Sequence, residues 1–176
     1  MSVEMEKHSI ALMEPKREIE AILFDMDGVL ADSIPAHSTA WNSASGVVEW
    51  LDFFKRKQIL CSGASSGDMA NIVIVLDTLQ VSGYFTSIIS GALLPASKPD
   101  PLIFKLAAAS LGADTEKCLV IEDAPAGIQA AKSANMVCCA IATSLSRDYL
   151  NQADILLNDL SQVSPDTLFS DSNLPI

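Results

Sequence analysis

The sequence predicts an α/β fold: a parallel sheet covered by helices on both faces, in three layers α/β/α. Three observations predict it. Short apolar runs alternate with helical patterns of about ten residues, the rhythm of parallel strands joined by crossover helices. Four of the apolar runs lead to polar residues at the point where a strand should end, and ligands gather at the carboxyl ends of such strands. The composition is 49% hydrophobic, 19% charged and only 6% aromatic over 176 residues. Short aliphatics and alanine dominate it, which suits helices packed closely on a sheet within one domain.

Glu20 to Phe24 reads as the first strand, and Pro35 to Trp41 as the start of a helix. Val47 to Lys57 carries apolar residues at 47, 48, 50, 51, 53 and 54, a helical rhythm. It ends in Lys55, Arg56 and Lys57, cations favoured at a helix C-terminus. Leu60 to Ala64 is a strand, Asp68 to Leu79 a helix, and Ser87 to Ser90 a short strand. Pro101 to Leu111 is an alanine-rich helix stopped by Gly112. Cys118 to Ile121 is a strand, Pro125 to Ala134 a helix, Val137 to Ile141 a strand, and Asp154 to Leu157 a last short strand. A Rossmann-like core is thus expected over 19–165, with tails over 1–18 and 166–176. No internal repeat or long low-complexity segment interrupts it.

The formal charge of -11 and a pI of about 4.4 argue against nucleic acid and anionic membrane surfaces as general partners. No stretch approaches the roughly 20 apolar residues of a membrane span. The first eighteen residues lack a charged start followed by a long apolar core, so no secretory signal is expected. Cys61, Cys118, Cys138 and Cys139 lie in or beside strand-like runs without CxxC spacing. They read as buried free thiols of a reducing, cytoplasmic setting, not as a disulfide scaffold or zinc site.

The chemistry-bearing residues stand at strand ends. Asp25 and Asp27 follow the first strand, two residues apart, so in an extended conformation both carboxylates face one side. Burying carboxylates is costly unless something binds them. Ser65, Ser66 and Gly67 follow the second strand and open a helix, where hydroxyls and amides make an anion site. Lys98 stands in SKPDP, its flanks stiffened by Pro99 and Pro101, and Glu122 and Asp123 follow the fourth strand in VIEDAPAG. Singly, each has an ordinary explanation as a cap, a loop residue or a solvated charge. Together, the carboxylates would repel one another unless a divalent cation sat among them, and hard oxygen ligands favour Mg²⁺. A hydroxyl, amides and one lysine then complete a phosphate site.

DMDGVLADS, the Ser65–Ser66 turn, SKPDP and VIEDAPAGIQAAKSA resemble the four ordered motifs of the haloacid dehalogenase-like superfamily, closest to its β-phosphoglucomutase-like phosphatases and phosphomutases. The resemblance covers Glu20 to Ile141. It implies Asp25 as the nucleophile that forms an aspartyl-phosphate and Asp27 as general acid and then base. It implies Ser65 and Lys98, with Ser66 beside them, as the phosphate-binding group. Mg²⁺ would be held by the Asp25 carboxylate, the Asp27 backbone carbonyl, and Asp123 with help from Glu122. With an Asp at position 27 the chain resembles the phosphoryl-transfer branch, because the dehalogenating members lack that acid. The implied substrates are small phosphomonoesters such as sugar phosphates.

The chain departs from such relatives after the first motif, where they carry a helical cap domain. DSIPAHSTAW resembles the lead-in to the cap, with His37 and Trp41 in familiar places, and GVVEWLDFFKRK resembles the segment that follows it. Only Asn42 to Ser45 lie between, so the cap is expected to be absent or vestigial, with its insertion point near 42–46. A mutase needs a lid that shields its intermediate from water, so phosphatase activity is favoured over mutase activity. Loss of the cap should also leave Trp41, Val47 and Trp50 partly exposed, a surface that invites partner binding or self-association. A weakly active relative acting by binding or regulation is the alternative. A receiver-like signalling domain shares the residue types, but there the acidic pair comes early and the acceptor Asp later, the reverse of the order here.

Overall fold

Six strands run parallel in one sheet: β1 (Ala21–Phe24), β2 (Leu60–Ser65), β3 (Ser87–Ser90), β4 (Cys118–Glu122), β5 (Val137–Ile141) and β6 (Ile155–Leu157). Their spatial order is β3-β2-β1-β4-β5-β6. The computed structural model describes residues 18–31 and 44–171. The 1–17 part of the expected N-terminal tail, the helix start at Pro35–Trp41, and His37, Trp41, Asn42 and Ser43 lie outside the described residues. The expected Rossmann-like three-layer α/β/α architecture is present, with strand and helix limits mostly within one residue of those read from the sequence.

In β1 the register sets Ile22 between Cys61 of β2 and Leu119 of β4. Strand order reverses beside β1, and it is at such a point, beyond the strands' carboxyl ends, that a parallel sheet opens a crevice. Asp25 continues the ladder one residue past β1 by donating its N–H to the Ile121 carbonyl at 3.0 Å.

Alternation along the central strands builds two cores. Ile22 and Phe24 of β1, Leu119 and Ile121 of β4, and Cys139 and Ile141 of β5 face one side. There they meet helices α1 (Val47–Arg56), α2 (Met69–Thr78) and α5 (Pro165–Asp171). Ala21, Leu23, Val120, Cys138 and Ala140 face the other side, against α3 (Leu102–Leu111) and α4 (Pro125–Ser133). That second layer is rich in alanine, and the small side chains let the helices lie close to the sheet. Every α-helix among the described residues contributes to one of these two layers. Gly112 stops α3 in the left-handed conformation at φ 69°, and the Asp68 side chain caps α2 by accepting from the Asn71 N–H. All four cysteines are free and buried.

Two expectations are corrected here. Residues 166–171 are not tail, because α5 buries Leu168 and Phe169 in the core. Nor are Val47 and Trp50 exposed: both are fully buried. The physical reason is the same. Phe169 stacks on Phe53 at 5.8 Å and meets the edges of Trp50 and Phe54, while the Trp50 indole donates to the Leu160 carbonyl at 2.8 Å. The C-terminal segment covers Val47 and Trp50, the described part of the face that a missing cap was expected to leave open. The polar composition after Leu157 concealed this.

Candidate active site

The carboxyl ends of β1, β2 and β4 deliver the expected residues to one place. Lys98 is the hub, reached by the loop between β3 and α3. Its Nζ donates to Asp25 Oδ1 at 2.5 Å, to Glu122 Oε1 at 2.7 Å and to the Ala64 carbonyl at 3.2 Å. It also lies 4.8 Å from the centre of the Phe104 ring in α3, an apolar floor that takes cation–π contact. The Lys98 side chain is only 8% exposed. Burial works against its charge, yet Asp25 and Glu122 hold its pKa above the ordinary lysine value.

Carboxylate oxygens of Asp25, Glu122 and Asp123 all lie within 4.8 Å of one another. Burial first, and then the Glu122 charge, pushes Asp25 up to about 7, against the opposing pull of Lys98. Burial likewise pushes Asp123 up to about 6, against a hydrogen bond from the Ser144 hydroxyl. One lysine therefore does not neutralise three buried carboxylates. A divalent cation fits this donor set, which offers hard oxygens, excess negative charge and desolvation that a cation would relieve. Glu122 is the most enclosed member. Its Oε2 accepts from the N–H groups of Asp123 and Ala124, both at 2.9 Å, at the start of α4. Gly127 makes room for it, since a Cβ there would lie 1.7 Å from Glu122 Oε1.

Asp27 is exposed, and among the described residues its carboxylate makes no hydrogen bond. Ser65 is buried, and its Oγ accepts from the Gly67 N–H at 3.1 Å, which leaves its own proton to donate. Ser66 is exposed beside it. The structure therefore brings Asp25, Lys98, Glu122 and Asp123 into one connected group and leaves Asp27 and Ser66 at its rim.

Sequence reasoning missed the loop that leaves β5. Thr143 Oγ1 donates to the Gly28 carbonyl at 2.6 Å, and Ser144 reaches Asp123. The available signal was the one used at Asp25, Ser65 and Glu122: polar residues, here Thr143 and Ser144, at the end of a buried run. Gly28 and Gly127 also escaped notice, since their roles depend on close approaches that no periodicity reveals.

A family model of haloacid dehalogenase-like hydrolases matches residues 36–141, a stretch that contains Ser65, Lys98, Glu122 and Asp123 and begins after Asp25 and Asp27. The chain is 38% identical over 122 residues to the Arabidopsis thaliana protein SUPPRESSOR OF QUENCHING 1, chloroplastic, covering 68% of this chain and 12% of that protein. It is 31% identical over 121 residues to validoxylamine A 7'-phosphate phosphatase of Streptomyces hygroscopicus subsp. limoneus, covering 69% of this chain and 57% of the relative. The chain thus spans well under two thirds of either relative. Its fold is shared with a crystal structure of β-phosphoglucomutase from Clostridium difficile, at a TM-score of 0.75 and 20% identity, over 86% of this chain and 96% of that one. No helix among the described residues is long and apolar enough to cross a membrane. With the matched stretch exceeding half its length, the chain belongs to the haloacid dehalogenase-like hydrolase family.

Proposed function

We propose that the chain is a Mg²⁺-dependent phosphatase core that hydrolyses small phosphomonoesters through an aspartyl-phosphate on Asp25. The observation that carries this is the convergence of Asp25, Glu122 and Asp123 within 4.8 Å around Lys98. The relative named for a phosphorylated small molecule supports the substrate class.

Asp25, Asp123 and the Asp27 backbone carbonyl, with Glu122 beside them, would hold the cation. When bound, it supplies the charge neutralisation that lets a carboxylate approach a phosphate. The chain's own residues do the rest. Lys98 and the Ser65 hydroxyl bind the equatorial phosphoryl oxygens and stabilise their charge. The Asp25 carboxylate forms a bond to phosphorus while the ester P–O bond breaks, and Asp27 gives its proton to the departing alcohol oxygen. Asp27 then takes a proton from water, whose oxygen attacks phosphorus, frees the Asp25 carboxylate and releases inorganic phosphate. Between Ala31 and Ala44 only residues 32–43 stand where a cap would be inserted, and Ala44 donates to the Leu30 carbonyl at 3.0 Å across that interval. A core without a cap favours hydrolysis over a mutase reaction, since water reaches the intermediate. The four buried free cysteines suit the expected cytoplasmic setting.

Hydrolysis of an aryl phosphate with and without Mg²⁺, by the unmodified chain and by Asp25→Asn, tests the proposal. Metal-dependent turnover that falls to background in the variant is the expected result. Folded protein without turnover in either form would point instead to a binding or regulatory role. Conversion of glucose 1-phosphate to glucose 6-phosphate would identify a mutase.

A further inference from the structure

We infer that Thr143 and Ser144 are positioning residues of the cation site: leaving β5, they lock the Asp25–Gly28 loop against Asp123 so that both present their oxygens to one ion. The inference rests on the reading of Asp25 and Asp123 as ligands.

The geometry joins two loops that the chain keeps far apart. Thr143 Oγ1 donates to the Gly28 carbonyl at 2.6 Å across 115 residues. Gly28 has φ +74°, a conformation glycine adopts freely and others rarely. Within the loop the Gly28 N–H donates to the Ala31 carbonyl at 2.9 Å, which sets the preceding peptide, the one whose carbonyl belongs to Asp27. The Thr143 hydroxyl holds the following peptide, at the Gly28 carbonyl, from outside the loop. On the other side of Gly28 the packing is closer still. A Cβ added there would lie 1.9 Å from Asp123 Oδ2 and 2.5 Å from Ser144 Oγ. Gly28, Asp123 and Ser144 therefore meet at one point, where the Ser144 hydroxyl lies beside the Asp123 carboxylate. Thr143 fixes the loop bearing Asp25 and Asp27, while Ser144 fixes the carboxylate across from it. Groups that orient metal ligands in this way are commonly worth about ten- to a hundred-fold in metal affinity.

Titration calorimetry of the metal-free chain with Mg²⁺ alone tests the assignment, alongside its thermal unfolding without metal. Thr143→Val and Ser144→Ala should each weaken Mg²⁺ binding about ten-fold, and the double variant further. Thr143→Ser and Ser144→Thr, which keep the hydroxyls, should restore it. Ser144 is exposed, so its loss should scarcely move the unfolding midpoint, and Ser144→Ala carries the test alone if Thr143→Val does not fold. Unchanged Mg²⁺ affinity in the folded variants, beside normal binding by the parent, would overturn this inference and leave the proposed function standing. A parent chain that binds no Mg²⁺ would overturn both.

Discussion

Lys98→Met replaces the ammonium that bridges Asp25 and Glu122 with an apolar chain of similar length. The two contacts, at 2.5 and 2.7 Å, each correspond to about 6 kcal/mol of gross attraction at an effective dielectric of about 20. The cost of keeping the ammonium out of water offsets much of this. Measured losses on removing one partner of a buried pair are about 3–5 kcal/mol, because the remaining charge stays buried and unpaired. That range is the expected loss at pH 8 without metal. Its pH dependence follows from the raised carboxyls. Asp25 titrates at about 7 and Asp123 at about 6 in the folded chain, against 3.8 ordinarily. Between those limits the folded state holds more protons than the unfolded one, so the parent loses stability as pH rises from about 4 to about 7. Lys98 has the same sign in a higher window, since its raised pKa contributes stability that is full throughout neutral pH and is lost only above its ordinary value. Removing it lets the carboxyls rise further, so the deficit should be widest above pH 7 and narrow toward pH 5. Urea unfolding of parent and variant at pH 5 to 8, followed by circular dichroism without metal, measures it. A loss independent of pH, or one below about 1 kcal/mol at pH 8, would refute a carboxylate cluster dependent on Lys98.

Gly127→Ala offers a test of sign. Alanine in a helix interior ordinarily stabilises by up to about 1 kcal/mol. Here its Cβ would fall 1.7 Å from the oxygen of a glutamate held by Lys98 and two backbone N–H groups, so a destabilisation of about 1–3 kcal/mol is expected in denaturant unfolding. Phe169→Ala, which empties the aromatic cluster around Trp50, Phe53 and Phe54, should cost about 3 kcal/mol by the same measurement. A loss below about 1 kcal/mol would mean that α5 does not seal that face.

The sheet was legible because its strands announce themselves locally. AILF, CLVI and VCCAI are short and apolar, and the caps at Asp68 and Gly112 obey rules that act over a few residues. Asp25, Lys98, Glu122 and Asp123 could be singled out for the same reason, each standing at the end of such a run or beside a stiffened turn. What the chain concealed is set by distant approach. Nothing near Thr143 states that Gly28 will lie against it, and nothing near Phe169 announces the partners waiting in α1. The length of α5 was also hidden, because a helix of seven residues with two apolar positions barely rises above its polar surroundings.

The Lys98 bridge ties together segments that lie apart along the chain: Asp25 is 73 residues away, Ala64 34 and Glu122 24. Such non-local contacts exist only in the assembled fold. A cation or phosphate bound there would engage only the assembled form and stabilise the whole domain by mass action. Ligand-induced protection of amides in β5 and α4, far along the chain from Asp25, would then record the cooperativity of the fold, with the active site serving as its latch.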